Sequence, residues 1–370
     1  MKFKSIRDAG ELFGKKVLLR LDLNVSLKDG AVFDDFRIKG SLPTLNYLKD
    51  ADAKIIILSH LGEGGTETLR PVADYLKVSL LPIKIDVSLK DRVAHMQNGE
   101  VIILENLRQD KREVVNDPEF AKELASLGDI YVNDAFSVSH RNHTSIVALP
   151  KLLPHYAGFL LQSEVENLSK LFNPDHPFLF ILGGAKFETK INLVKKFLDI
   201  ADKIFIGGAL SNTIFKKMGY ETGVSLVDEK EMNLDFVLNN KKIVLPMDVT
   251  VRDAMGDSVK LPDQVLKNEN ILDMGPESLE ATKKMIDDAK YILWNGPMGN
   301  FEKGLKQITE DLATHLSKSG AKTIVGGGDT LTAIRDLDLV DKFTFTSSGG
   351  GAMLDFLVNG TLPGIEALTF

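Results

Sequence analysis

At 370 residues the chain exceeds what a single hydrophobic core usually holds, so two domains are expected. With 44% apolar and 26% charged residues it has the composition of an ordinary globular protein, and a net charge of −7 argues against a general nucleic-acid binder, because nothing global attracts a polyanion. The absence of cysteine excludes a disulfide framework and any thiolate-bound metal.

The N-terminal stretch MKFKSIRDAGELFGKK is basic but has no apolar run of signal-peptide length, and no segment approaches about 18 consecutive apolar residues. An unprocessed, cytoplasmic chain is expected. The first half then alternates strand-like runs, KVLLRLDLNV (16–25), KIIILSH (54–60), VIILENLR (101–108) and DIYVNDAF (129–136), with amphipathic stretches at 36–50 and 117–128. This alternation predicts a parallel sheet covered by helices on both faces. Ligands of such sheets collect at the carboxyl ends of the strands, where this half places Asp22, Asn24, His60, Asn106, Arg108, Asn133 and Asp134. Residues 156–172, with apolar positions at helical spacing up to Asn173-Pro174, predict a helical connector and hinge between a first domain (1–155) and a second (173–354). In the second half, five apolar runs end in glycines: FLFILGGAK, KIFIGGAL, YILWNGPMG, TIVGGGDT and FTFTSSGGGA. Each predicts a buried parallel strand opening into a turn where backbone approaches a ligand closely. The apolar tail, about 355–370, is expected to pack back on the first domain.

The GGAKFETK turn sets Lys186 after Gly184, with Lys190 four residues on and on the same face of a following helix. Turn amides plus two ammonium groups make an anion site; the alternative is a tight strand-to-helix turn with surface lysines. In GGGDT, the carboxylate of Asp329 at a strand end suits Mg²⁺ that also touches phosphate, or serves as a helix N-cap. Gly349, Gly350 and Gly351 offer bare amides at a helix start, or allow close helix–sheet packing. In WNGPMGNFE, Glu302 suits ribose hydroxyls, unless the segment is an ordinary loop with a solvated acid.

The first half supplies cations instead: Arg37, Arg108 and Arg141, with His60, His140 and His143. Individually these read as solvated surface residues; converging on one rim they would grip a small polyanion. HRNHTS has no acidic or thiol partner at metal-ligand spacing. No nucleophile elbow or HExxH occurs, and transfer between two phosphates needs no general base, since phosphate oxygen is already ionised.

Taken together, RLDLNV, DDFRIKGSLPTL, LSHLG, ILENLR, NDPEFAKELASLGDIYVNDAF, HRNH, ILGGAK, GPES, WNGPMGNFE, GGGDT and SSGGGA resemble phosphoglycerate kinases, in that family's order and over essentially the whole chain. The resemblance implies an α/β fold of two doubly wound, Rossmann-like parallel-sheet domains facing across a cleft and joined by a helical hinge. It implies reversible transfer between 1,3-bisphosphoglycerate and Mg-ADP, giving 3-phosphoglycerate and ATP in glycolysis and gluconeogenesis, by a cytoplasmic monomer with no membrane or nucleic-acid partner. By position, Asp22, Leu23, Asn24, Arg37, His60, Leu61, Gly62, Glu63, Arg108 and Arg141 would border the phosphoglycerate. Arg37, Lys186, Gly350 and Gly351 would serve the phosphoryl group in transit. Gly184, Lys186, Lys190, Gly207, Gly208, Asn295, Pro297, Glu302, Gly326, Gly327, Gly328, Asp329 and Thr330 would bind the nucleotide, with Asp329 facing Mg²⁺.

The chain departs from the family pattern at several points. Glu63 stands where an arginine is usual, reversing one charge in the basic rim unless it swings outward or a cation such as Arg70 compensates. Thr189 stands where many members have Asp, Val224 where Lys is usual, SVSH replaces GTAH before Arg141, and the chain is shortened after His60. The alternative function is a catalytically weakened nucleotide-binding paralogue. A dinucleotide-dependent dehydrogenase fits poorly, because no GxGxxG follows the first strand.

Overall fold

The computed structural model describes residues 3–301 and 304–369. The chain divides into two compact units, one ending at Glu166 and resuming at Asn359, the other Asn167–Val358.

In the first unit, six parallel strands form one sheet: β1 (Lys16–Leu21), β2 (Lys54–Leu58), β3 (Ser79–Leu81), β4 (Val101–Leu104), β5 (Ile130–Asp134) and β6 (His155–Ala157), in the spatial order β3-β4-β2-β1-β5-β6. β1 is central, pairing Val17 with Ile55 on one side and Ile130 on the other. A strand covered on both faces needs apolar side chains throughout, hence the unbroken run in β1, interrupted by Arg20 alone after Lys16. The chain reverses direction across the sheet at β1, so the strand ends beside it open a crevice for ligand. α1 (Phe36–Asp50) and α2 (Pro118–Ala125) fall within the two stretches read as helical. α2 is capped by Asp117, whose carboxylate accepts from the N–H groups of Glu119 (2.9 Å) and Phe120 (2.8 Å).

The second unit holds β7 (Phe178–Leu182), β8 (Lys203–Ile206), β9 (Ile243–Val244), β10 (Val249–Asp253), β11 (Gly256–Lys260), β12 (Asn270–Met274), β13 (Tyr291–Asn295), β14 (Lys322–Gly326) and β15 (Phe345–Ser347). Its six-stranded parallel sheet runs β9-β8-β7-β13-β14-β15, with Trp294 and Phe180 fully buried at its centre. The five glycine-ended strands are β7, β8, β13, β14 and β15. A separate antiparallel sheet, β11-β10-β12, has no counterpart in the alternating pattern of the sequence.

The connector differs from its expected form at its start. Tyr156 and Ala157 belong to the edge strand β6, and α3 spans Phe159–Ser169 before a short turn at Lys170–Phe172. The change of unit falls inside α3, between Glu166 and Asn167. The tail packs in the first unit, where Gly364 N–H donates to Ser139 O (2.8 Å) and Ile365 and Leu368 are fully buried.

The start of α3 rests on Asp134. Its Oδ1 accepts from Leu161 N–H (3.1 Å), Thr44 Oγ1 accepts from Phe159 N–H (2.9 Å), and a Cβ on Gly158 would overlap the Asp134 carboxyl. Asp134 and Asn133, read from sequence as rim groups, are therefore fully buried structural residues, Asn133 donating to Ser139 Oγ (3.2 Å). Burial raises the pKa of Asp134 from 3.8 to about 6, against the opposing hydrogen bonds from Thr44 and the α3 amides. A carboxyl that holds its proton more tightly when folded stabilises the native state fully below its unfolded pKa, and that contribution is lost as pH rises through the folded value. Asp134→Asn should remove this fall: the stability of the variant relative to wild type is expected to rise by on the order of 1–3 kcal/mol between about pH 4 and about pH 6, measured by urea unfolding.

Candidate active site

At the carboxyl edge of the first sheet, Asp22 follows β1 and is almost wholly buried. It accepts short hydrogen bonds from Arg37 Nη1 and from Ser137 Oγ, and a third from Asn24 N–H (3.2 Å). Ser137 is one of the SVSH departures, so the substitution adds a donor to the acid that holds Arg37 at the start of α1. Asn24 Oδ1 accepts from Gly62 N–H (2.9 Å), and Arg108 Nη1 donates to Gly62 O (2.6 Å), pinning the HLGEG loop from both sides. Leu23 and Leu61 are core residues whose side chains face the interior. Asn106 is also internal, donating to Leu61 O and Glu67 O.

The histidines are not cations. Burial first, then Arg20, Arg108, His143 and Arg37, hold His60 well below its usual pKa. Burial first, then Arg108, Arg20 and Arg141, lower His143 to about 4. Both are neutral at neutral pH, so the positive charge here is carried by arginine, and Arg141 is exposed while coupled electrostatically to Arg108 and His143. Glu63 is exposed, yet its charge still reaches Arg108. Arg70, named as a compensating cation, is exposed and pairs loosely with Asp74 at 3.9 Å.

Sequence reasoning missed Arg20. It lies next to the carboxyl end of β1, is 1% exposed, and donates to Ser145 Oγ (3.0 Å), Leu21 O (2.5 Å) and His60 Nδ1 (3.2 Å). Ser145 in turn donates to the buried Glu113 through its hydroxyl (2.6 Å) and N–H (3.0 Å). The signal was an arginine inside an otherwise apolar central strand. Burial lowers the pKa of Arg20 and raises that of Glu113, and each opposes the shift of the other.

In the second unit, Lys190 precedes α4 (Ile191–Leu198), so Lys186 lies in the turn and the two lysines do not share a helical face as expected. The glycine turn prevents helix from starting until after Lys190. Lys186 is exposed, and its carbonyl accepts from Thr189 Oγ1 (3.0 Å). Lys190 Nζ instead donates to Gly183 O (2.6 Å) and Asn295 Oδ1 (3.0 Å), joining the ends of β7 and β13; burial lowers its pKa to about 8 against the pull of Asp329. Gly184 N–H donates to Pro297 O (3.0 Å) and Gly296 N–H to Thr330 Oγ1 (3.1 Å), so the glycine turns are stitched to one another. Gly208 (φ 61°) precedes α5 (Ala209–Lys217), with Gly207 buried at the end of β8. Gly326 ends β14 and Gly327 (φ 106°) is the N-cap of α6 (Gly328–Asp336), so Asp329 is in the first turn rather than the cap. Gly349 N–H donates to Ser347 Oγ (3.2 Å), and Gly350 (φ 52°) leads into α7, which Gly351 begins (Gly351–Asn359). Glu302 lies outside the described residues.

A pocket opens among Gly184, Gly208, Pro297 and Asp329 at the edge of the large sheet and Leu272 and Asp273 of the small one. Of the expected nucleotide residues, Lys186, Lys190, Gly207, Asn295, Gly326–Gly328 and Thr330 are not in its wall; Lys190, Asn295 and Thr330 act from behind it by holding the turns. Among the described residues no cluster of three or more His, Asp or Glu is disposed to hold a metal, and no helix is long and apolar enough to cross a membrane.

A doubly wound α/β chain with an arginine-lined strand edge in one unit and a glycine-lined strand edge in the other has the build of a phosphotransferase. The family model for phosphoglycerate kinase matches residues 6–360. The chain is 42% identical to a phosphoglycerate kinase of Dictyoglomus turgidum, over 97% of this chain and 96% of that protein, and 41% identical to one of Aquifex aeolicus, over 98% and 97%. It is also similar to the solved structure of phosphoglycerate kinase from Coxiella burnetii, with a TM-score of 0.86 at 38% identity over 99% of each chain. The chain belongs to the phosphoglycerate kinase family: it is a kinase with a carboxyl group as acceptor and ADP or ATP as co-substrate.

Removing the buried guanidinium would leave Glu113 and His60 without their positive neighbour. Arg20→Met should cost about 3 kcal/mol in urea unfolding, and adding Glu113→Gln should recover part of that loss.

Proposed function

We propose that the first unit binds 3-phosphoglycerate or 1,3-bisphosphoglycerate and the second binds the nucleotide, with direct in-line transfer between them. What supports this most is the state of Asp22: its buried carboxylate accepts from Arg37, Ser137 and Asn24, and so aims the part-exposed guanidinium of Arg37. A guanidinium held by a buried acid is positioned before substrate arrives, which is how an electrostatic catalyst lowers a barrier without reorganising. Arg108 and Arg141 add charge for the remaining anionic groups of the substrate.

Lys186 is an exposed cation in the turn after β7 and would meet the transferring phosphoryl group. Lys190, tied down as it is, would contribute fixed charge behind the pocket. Gly350 and Gly351 would present amides at the N-terminus of α7 to the same group. The residues fit Mg²⁺ in the manner of nucleotide sites: one hard carboxylate, Asp329, at the pocket wall, with nucleotide phosphate completing the shell. Bound there, the ion would neutralise phosphate charge. The α3 connector would act as the hinge, since an acyl phosphate must be kept from water while the reacting groups align. A cytoplasmic monomer in glycolysis and gluconeogenesis completes this reading.

The test is a coupled assay of ATP formation from 1,3-bisphosphoglycerate and ADP. Lys186→Ala should lower kcat by about a hundredfold or more, and equal rates would remove Lys186 from its role. Glu63→Arg should lower the KM for 3-phosphoglycerate several-fold in the reverse reaction with ATP, because a solvent-screened repulsion of about 1 kcal/mol is replaced by attraction; an unchanged or raised KM would refute this.

A further inference from the structure

The small sheet of the second unit carries an acid that the proposed transfer does not use. β12 runs antiparallel to β10, and its ladder slips by one residue: Thr250 faces Asp273 while Val251 faces Ile271, which leaves Leu272 unpartnered. A bulge of this kind re-aims the side chains around it. Neighbours on a regular strand point to opposite faces, yet Ile271, Leu272 and Asp273 all line the same pocket. The distorted segment is held by Ile271 N–H donating to Ser225 Oγ (2.7 Å) and by Asn300 N–H reaching Leu272 O (3.4 Å).

Asp273 is 8% exposed. Its Oδ1 accepts from Met274 N–H (2.8 Å), and its Oδ2 lies against Gly299, where a Cβ would overlap it. The charged groups on the elements packed around it are Arg252 and Asp253 on β10, Asp248 just before β10, Asp257 and Lys260 on β11, which pair with Arg252 and Glu269, and Asp329 elsewhere in the pocket wall. Asp248 is engaged by the N–H groups of Glu277 and Ser278. None of these charges shifts Asp273: burial raises its pKa to about 7, opposed by Met274 N–H alone. Both forms of the carboxyl are thus accessible near neutral pH.

We propose that Asp273 reads the nucleobase, favouring adenine when it carries its proton and guanine when it does not. A carboxylic acid offers one donor and one acceptor, matching adenine N1 and its exocyclic amino group; a carboxylate offers two acceptors, matching guanine N1–H and its exocyclic amino group. The inference rests on the reading of this pocket as the nucleotide site.

The experiment measures KM for ADP and for GDP with 1,3-bisphosphoglycerate, in wild type and Asp273→Asn, from about pH 6 to about pH 8. Ionisation of the phosphates is common to both nucleotides and cancels in the ratio. In wild type the ratio KM(GDP)/KM(ADP) should fall several-fold as pH rises. In Asp273→Asn, which presents one donor and one acceptor at every pH, it should stay high and flat, with KM for 1,3-bisphosphoglycerate unchanged. Leu226→Trp, which narrows the pocket without altering Asp273, should raise KM for both nucleotides. If it raises neither, the pocket is not the nucleotide site and both readings fall. If it raises both while the wild-type ratio ignores pH, or while Asp273→Asn keeps the wild-type slope, the role of Asp273 alone is overturned. Should Asp273→Asn fail to fold, the wild-type profile decides by itself.

Discussion

A desolvated cation at the carboxyl edge of each central sheet is the constraint on which the rest of the structure depends. In the first unit it is Arg20, next to the last residue of the central strand; in the second it is Lys190, clamped between the ends of two neighbouring central strands. A buried charge is costly unless it is hydrogen-bonded, so the surrounding backbone and side chains must be arranged to receive it. Ser145, Glu113, His60 and the carbonyl of Leu21 do so in one unit, the carbonyl of Gly183 and the amide of Asn295 in the other. These arrangements fix the strand ends from which the site is built.

The same burial sorts the acids by task. Asp22 is saturated by protein donors and aims Arg37. Asp134 is held apart from every cation and supports the start of α3. Asp273 faces a pocket with one oxygen accepting from the N–H of Met274 and the other against Gly299. Three carboxylates at or near strand ends thus differ through their neighbours alone. Burial also keeps His60 and His143 neutral, so the positive charge at this strand edge rests on guanidinium groups, which stay charged across the physiological pH range.

Much of the large-scale architecture was legible. Unbroken apolar runs such as FLFIL mark strands buried on both faces, and glycines at their ends mark close backbone approach, because both are local demands that a residue type meets directly. The small antiparallel sheet was not legible: VTVRD and GDSVK lie among mostly exposed or alternating positions, and β12 is bulged. The helical register of Lys186 and Lys190 was misread for a local reason, since the turn runs on through Thr189 and Lys190 before α4 begins. Arg20 shows in the sequence only as a break in the apolar run of β1; the Ser145, Glu113 and His60 partners that receive its charge lie far along the chain.

The sequence by itself determined the family, the alternation of strands and helices, and the segregation of arginines to one half and glycine turns to the other, since each depends on residue identity and order along the chain. Only the tertiary structure decided which of those residues are exposed cations, which are neutral, and which acids are held by partners. Asn133 and Asp134 moved from the rim to the interior, His60 and His143 lost their charge, and Asp273 entered a pocket wall, because protonation and hydrogen bonding are set by desolvation and by neighbours far apart in sequence.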